Sequence, residues 1–405
     1  MTVDIKYGTE TISLILPDNC TFDEYRCKMM HNLVVFETFM AELSHAETAV
    51  FPLDTAELFI VNDAYRPTPT ARVLRWLQDA GRLNAAASFL VATGCHRAPR
   101  EEQMRDIFGE LHADLRDRIF VHDAHDHDKM VRIGSDSAGY PVWINRLAYD
   151  AESIVVIGSV EPHYFAGFTG GRKSLFPGVC DFETTVRNHN LAVSCDAAPM
   201  RLTGNPVAES LSALMNMLSD KKIFGIQIVG AGDRGMQVVC CGALEDTFVK
   251  ACEISRQVFG AATEKEYDLL LAEVRPPLDS DLYQLQKSLE NSQGAVRDGG
   301  TILLFSPCQE GIGSEHFYRL ADRWKNTADY GDTVAFGTHK LHRVNAIGKR
   351  LDLFLFSTLA DGVSDRVFFR TTKSPQSIIE KLCKGNKQIN TALVRDAGHT
   401  VLTVH

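Results

Sequence analysis

The chain has 405 residues, which is enough for two or three domains. Its apolar fraction of 45% supplies large cores, and a formal net charge of -10 leaves no basic footprint for nonspecific nucleic-acid binding. No apolar run approaches the roughly 18 residues of a membrane-spanning helix, the first residues lack the order of a secretory signal, and ten scattered cysteines suit a reducing compartment, so a cytoplasmic protein without membrane partners is expected.

Thr11–Leu16 reads as a strand closed by Pro17, and Glu42–Thr48 is too short to assign. Leu58–Val61 reads as a strand that runs into the loop 62–69, and a helix is expected over Thr70–Ala80. Ala85–Ala92 is a second strand, ending in Gly94-Cys95-His96-Arg97, with Arg100–Phe108 helical after it. Tyr140–Asn145 and Ser153–Ile157 are strands, and a long loop rich in Gly, Phe and Pro follows to about residue 181. Pro206–Leu218 is helical, Lys222–Val229 and Gln237–Cys241 are strand-like, and Ala243–Phe259 is a helix. Beyond a boundary at Gly260–Glu266 the pattern restarts. It has strands at Tyr267–Val274, Thr301–Phe305 and Leu351–Ser357, and helices at Leu282–Arg297, Ser314–Trp324 and Ser374–Leu382. Strand, polar loop and helix in repetition predict two α/β domains with mostly parallel sheets and an active-site cleft between them. The first domain is expected over 1–262, completed by strand material in 391–405, and the second over 263–390.

The most informative segment is Gly158-Ser-Val-Glu-Pro-His-Tyr-Phe-Ala-Gly-Phe-Thr-Gly-Gly-Arg-Lys-Ser-Leu-Phe-Pro-Gly178. It follows a strand, where open α/β folds place ligands. Its glycines permit close backbone approach. Lys173 can meet an anion or form a covalent bond to an acyl carbon. His163 and the later His189 can be acid–base groups or metal ligands. A P-loop is excluded by spacing, because position 172 holds Arg where its second Gly belongs. Asp63, Arg66, Thr68 and Thr70 lie on a strand-to-helix loop that suits an anion. Tyr283, Gln284 and Lys287 open a helix, where Tyr283 and Lys287 share one face. His122, His125 and His127 read as a solvated loop, with metal binding as the alternative. Cys308 reads as structural.

The segment 162–178 resembles the central motif of the lactate racemase family of nickel-pincer enzymes, P-H-x-x-x-G-F-[ST]-G-G-x-K-x-x-x-P-G with a following N-H. Asp63-Ala-Tyr-Arg-Pro-Thr-Pro69 is similar to that family's D-x-x-R-P-x-P, and Tyr283-Gln-Leu-Gln-Lys287 to its Y-Q-x-x-K. The resemblance covers residues 60–315 in separated blocks. It implies a pyridinium-3,5-bisthiocarboxylic acid mononucleotide attached through Lys173, with nickel bound by His189. It further implies His96 and His163 as the acid–base pair, and Asp63 and Arg66 in the active site. Thr68 and Thr70 would lie at the cofactor phosphate. Tyr283 would lie toward the cofactor, with Gln284 and Lys287 on the substrate. Arg66 and Lys287 would then clamp one carboxylate. The implied reaction is inversion at C2 of a 2-hydroxy acid by reversible hydride transfer. The implied partners are cofactor-biosynthesis and nickel-insertion proteins. The lactate-specific enzyme carries a late Trp, whereas Val344-Asn-Ala-Ile-Gly348 has none and Trp324 lies earlier, so a different substrate side chain is expected. Two other readings remain. For a nicotinamide-dependent dehydrogenase, Gly230-Ala-Gly-Asp-Arg-Gly235 has the glycine spacing but leads into the strand-like Gln237–Cys241 and not into a helix. A non-catalytic nickel- or ligand-binding homologue has no need of so many polar groups after strands.

Overall fold

The computed structural model describes residues 1–30, 32–230, 235–326, 337–385 and 387–404, without the side chains of 322–326. Gly232 and the Trp324 side chain, both invoked above, lie outside the described residues. Two compact units emerge, Met29–Val258 and the combination of Met1–Lys28 with Phe259–His405.

The Met29–Val258 unit is built on six strands in the order Val238–Ala243, Lys222–Val229, Ser153–Ser159, Leu58–Asn62, Ser88–Ala92 and Ile119–Val121. All neighbours are parallel except the Val238–Ala243 edge. Alternation along each strand feeds two cores. Phe59, Val61, Phe89, Val91, Val155 and Ile157 pack on one face, and Leu58, Ile60, Leu90, Ile154 and Val156 on the other. A sheet buried on both faces explains the near-continuous apolar strands. Polar residues mark the strand ends, at Asn62-Asp63, Thr93 and Ser159, and the site lies on those loops.

The second unit carries six parallel strands in the order Arg370–Thr372, Asp352–Phe356, Val296–Phe305, Tyr267–Glu273, Ile389–Val394 and Cys20–Tyr25. Both chain ends therefore belong here, in contrast to the expected completion of the first domain by 391–405. Ile389–Val394 is buried almost throughout and needs a neighbour on each side, which Tyr267–Glu273 and Cys20–Tyr25 supply. Cys20–Tyr25, with Asp23 and Glu24, closes the edge. Val401–Val404 pairs with Gly260–Thr263 in a separate ribbon.

The helix expected over 282–297 stops at Ser292, and Val296–Phe305 is one long strand. Gly299-Gly300 forms a bulge within it. Tyr267 faces Val296 but Leu269 faces Thr301, and Gly299 takes φ +73° to absorb the extra residues. Among the described residues no helix is long and apolar enough to cross a membrane.

Candidate active site

The Ser153–Ser159 strand delivers the chain into the Gly-rich loop, and the Val160 N–H anchors it to the Ile228 carbonyl at 2.8 Å. Pro162–His163 then pairs with Gly167–Phe168 in a two-residue hairpin. Thr169 locks the hairpin, its N–H donating to the Glu161 carbonyl and its hydroxyl to that of Ser159. Gly170 has φ +73°, and a Cβ there would lie 2.7 Å from both the Ser159 carbonyl oxygen and Val160. At Gly178 any Cβ collides with the Ser174 carbonyl. Gln227, fully buried on the adjacent strand, accepts the Gly171 N–H at 2.7 Å. Arg172 turns away from Lys173, pairing with Glu245 at 3.2 Å and lying 4.9 Å from the Phe248 ring centre.

This scaffold sets Lys173 in the short turn Gly171–Ser174, its ammonium 5.6 Å from the centre of the buried Phe165 ring. The His163 and His189 rings meet the same ring edge-to-face, at 4.5 and 4.9 Å. His189 arrives from the helix Phe182–Asn190, whose cap Asp181 accepts the Thr184 N–H. One phenyl ring thus gathers three residues that the sequence motif singled out. His163 is buried, and its Nδ1 accepts the Ala166 N–H at 3.3 Å. The neutral ring therefore carries its proton on Nε2.

The other imidazole is oriented oppositely. His96 Nδ1 lies 2.7 Å from Asp63 Oδ2, and Asp63 Oδ1 accepts the Tyr65 N–H at 3.2 Å. The Asp63 side chain is 4% exposed against 49% for His96, so a buried carboxylate holds an accessible imidazole. With its Nδ1–H given to the carboxylate, the neutral ring has its lone pair at Nε2. Tyr65 packs on that ring at 4.7 Å between centres. The Arg66 guanidinium makes no hydrogen bond or ion pair among the described residues.

Hydrogen bonds tie these loops together. Asn62 Nδ2 donates to Thr68 Oγ1 at 2.7 Å, Thr68 and Ser159 hydroxyls lie 2.9 Å apart, and Ser174 reaches Asn62 Oδ1 at 3.5 Å. The Gly94 N–H donates to the Gly178 carbonyl at 2.9 Å, joining the His96 loop to the end of the Gly-rich loop. Thr68 is therefore engaged in positioning the loops. Thr70 is buried at the first residue of the Thr70–Asp79 helix.

The His/Asp tract is a solvated loop at His125 and His127, which are exposed, but His122 turns inward. His122 is buried, with Nε2 on the Cys180 carbonyl at 3.0 Å and Nδ1 facing the Asn145 amide at 3.3 Å. Burial pushes its pKa down to about 4, so it is neutral. His125 packs on Phe182, and His127 on Trp143. No group of three or more metal-ligating side chains forms among the described residues.

In the second unit, Tyr283, Gln284 and Lys287 lie in the first two turns of the helix Leu282–Ser292 and are partly exposed. Asp281 caps that helix by accepting the Gln284 N–H at 2.7 Å. Burial pushes the Cys308 thiol up to about 12, which fits its structural reading. Val344 and Ile347 are buried in the core, so that Trp-free stretch faces inward. Sequence reasoning missed Lys340, a buried lysine beside Tyr283. It also missed Phe165 and Gln227. A Gln inside Ile226-Gln-Ile228 was the available signal, because an amide buried in an apolar strand needs a partner.

An α/β scaffold with an imidazole–carboxylate pair, a second imidazole and a lysine on its strand-end loops has the groups of an enzyme site. A family model described as the lactate racemase N-terminal domain matches residues 7–200, and one described as the lactate racemase C-terminal domain matches 269–342. The chain belongs to the lactate racemase family, and it is an isomerase of that kind. It is 28% identical to the lactate racemase of Thermoanaerobacterium thermosaccharolyticum over 348 residues, covering 81% of this chain and 79% of that one. It is 27% identical to the lactate racemase of Lactiplantibacillus plantarum over 369 residues, covering 83% and 80%. The fold matches the solved lactate racemase apoprotein of T. thermosaccharolyticum with a TM-score of 0.85 at 23% identity, over 99% of this chain and 100% of that one. A Thermotoga maritima protein shares the fold at a TM-score of 0.68 and 17% identity, over 93% and 100%. The family needs a nickel cofactor.

Proposed function

We propose that this chain inverts C2 of a 2-hydroxy acid, with Lys173 as the covalent anchor of a nickel-pincer nucleotide, His189 as the nickel ligand, and His96 and His163 as the acid–base pair. The observation that carries the reading is the convergence of Lys173, His163 and His189 on the Phe165 ring. The residues fit the group. Lys173 offers a primary amine for an amide-type link, and His189 an imidazole of the kind nickel takes. Glu161 is buried beside them in sequence with Oε1 unbonded by protein, as suits a ligand hydroxyl. When bound, the cofactor supplies a reversible acceptor for the hydrogen on C2, so inversion needs no net oxidant.

The chain's own residues handle the proton and the carboxylate. His96 Nε2 takes the hydroxyl proton of one enantiomer, with Asp63 fixing the tautomer and the ring plane. His163 serves the other hand, because the two enantiomers present their hydroxyls in mirrored poses. Arg66 supplies a cation for the substrate carboxylate. Thr70, in the first turn of its helix, suits the cofactor phosphate. Thr68 holds the loops in register for that contact. The resemblance assigns Tyr283 to the cofactor side, and Gln284 and Lys287 to the substrate. The substrate is lactate-like, with the side chain left to experiment because the late Trp is missing. Proteins that make the cofactor and insert nickel are the partners this reading requires.

The test is to load the protein with cofactor and nickel and offer a panel of enantiopure 2-hydroxy acids. Loss of optical activity without NADH formation is the expected result. A fully loaded protein that inverts none of them overturns the reading.

A further inference from the structure

The helices Leu282–Ser292 and Thr338–Arg350 are joined by polar groups. Arg343 meets Glu290 through two bonds of 2.7 Å each. Gln286 Nε2 donates to the Lys340 carbonyl at 3.0 Å. Lys340 returns the bond, its Nζ donating to the Tyr283 carbonyl at 3.0 Å and lying 3.6 Å from the centre of the Tyr283 ring. The whole side chain is buried, where a methionine of similar length would pack without desolvating a charge.

Burial pushes the Lys340 ammonium well below the usual lysine range. The Lys287 charge lowers it further, while Asp281 and Glu290 oppose both. Two lysines therefore act on each other beside Tyr283, in a helix whose exposed neighbours are assigned to substrate.

We propose that Lys340 is a positioning residue for the substrate carboxylate: its ammonium, held on the Tyr283 carbonyl and ring, pins the first turn of the helix that carries Gln284 and Lys287. The inference rests on the reading that Lys287 meets the substrate carboxylate. Lys340 itself is committed to the Tyr283 carbonyl and ring and acts through its neighbours.

Two substitutions separate charge from shape. Lys340→Gln retains a donor near the Tyr283 carbonyl and removes the charge, whereas Lys340→Arg keeps the charge. In the loaded enzyme, Lys340→Gln is expected to raise KM about tenfold while changing kcat less than about threefold. Calorimetry on the full chain with glycolate, a 2-hydroxy acid without a stereocentre, should show binding weakened by about the same tenfold factor. Lys340→Arg should recover most of both effects. Lys287→Gln controls the underlying reading and should weaken glycolate binding as well. If Lys287→Gln weakens binding and Lys340→Gln changes neither binding nor KM, the Lys340 assignment is overturned alone. If Lys287→Gln has no effect, the underlying reading falls and takes this one with it. If Lys340→Gln fails to fold, or loses melting temperature in step with activity without rescue by Arg, Lys340 is a structural strut and the proposal is overturned.

Discussion

His96 stands half exposed on a strand-end loop, held by one short bond to a buried carboxylate, whereas His163 lies buried in a hairpin held by glycine-dependent backbone packing. The bonds at Nδ1 run in opposite senses. His96 donates there, and His163 accepts there. Their neutral forms therefore present a lone pair and an N–H respectively at Nε2. On the proposed two-base reading, one histidine acts as base and the other as acid, and the roles exchange for the other hand. The two loops would then hold that pair by different means, one electrostatic and one steric.

The largest effect is expected at Lys173, whose ammonium lies against the Phe165 ring that His163 and His189 also meet. Lys173→Ala should abolish the cofactor adduct in an intact-mass spectrum and reduce inversion at least about a thousandfold. An adduct of unchanged mass would remove Lys173 as the anchor. Next comes the electrostatic side of the comparison. Asp63→Asn keeps the shape but reverses the hydrogen bond, so it should lower kcat by about 10²–10⁴-fold with little change in thermal stability. A kcat near wild type would show that Asp63 does not set the His96 tautomer. The steric side should respond the other way. Gly170→Ala forces a Cβ into the Ser159 carbonyl at positive φ and should cost about 1–3 kcal/mol, seen as a melting temperature lower by a few degrees.

The smallest effect concerns His122, an imidazole withdrawn from chemistry. Its folded pKa of about 4 lies below the roughly 6.5 of an unfolded histidine. The unfolded chain therefore binds the extra proton between those values. This contribution to stability is fully present above about pH 6.5 and is lost on acidification toward pH 4. Urea midpoints at about pH 7 and about pH 5 should show a smaller acid-induced drop in His122→Gln than in the parent.

The candidate site was legible where chemistry and sequence coincide. Gly170, Lys173 and Gly178 lie within one short segment, and the Asp63 and His96 loops each follow an apolar strand. The groups that hold them were not legible, because Phe165, Gln227, Asn62 and Ser159 act through space between strands. Lys340 was hidden in the same way, on a helix far along the chain from Tyr283. In the fold, the doubly buried strands announced themselves. The Phe36–Glu47 helix and the Cys20–Tyr25 edge strand did not, because their polar residues break the apolar pattern. The ownership of residues 391–405 depended on which sheet lacked a neighbour, and sheet order is not written in a strand's own residues.

The most direct test of the two-base account is a single turnover with enzyme in excess. Enantiomers have equal free energy, so kcat/KM is equal in the two directions for any variant, and steady-state inversion cannot tell the bases apart. Loaded His96→Gln and His163→Gln variants should each be mixed with one pure enantiomer, quenched and analysed by chiral chromatography. The account predicts that each variant consumes one enantiomer at close to the parent rate and leaves the other, with opposite preferences in the two variants. Equal consumption of both enantiomers by either variant would contradict it.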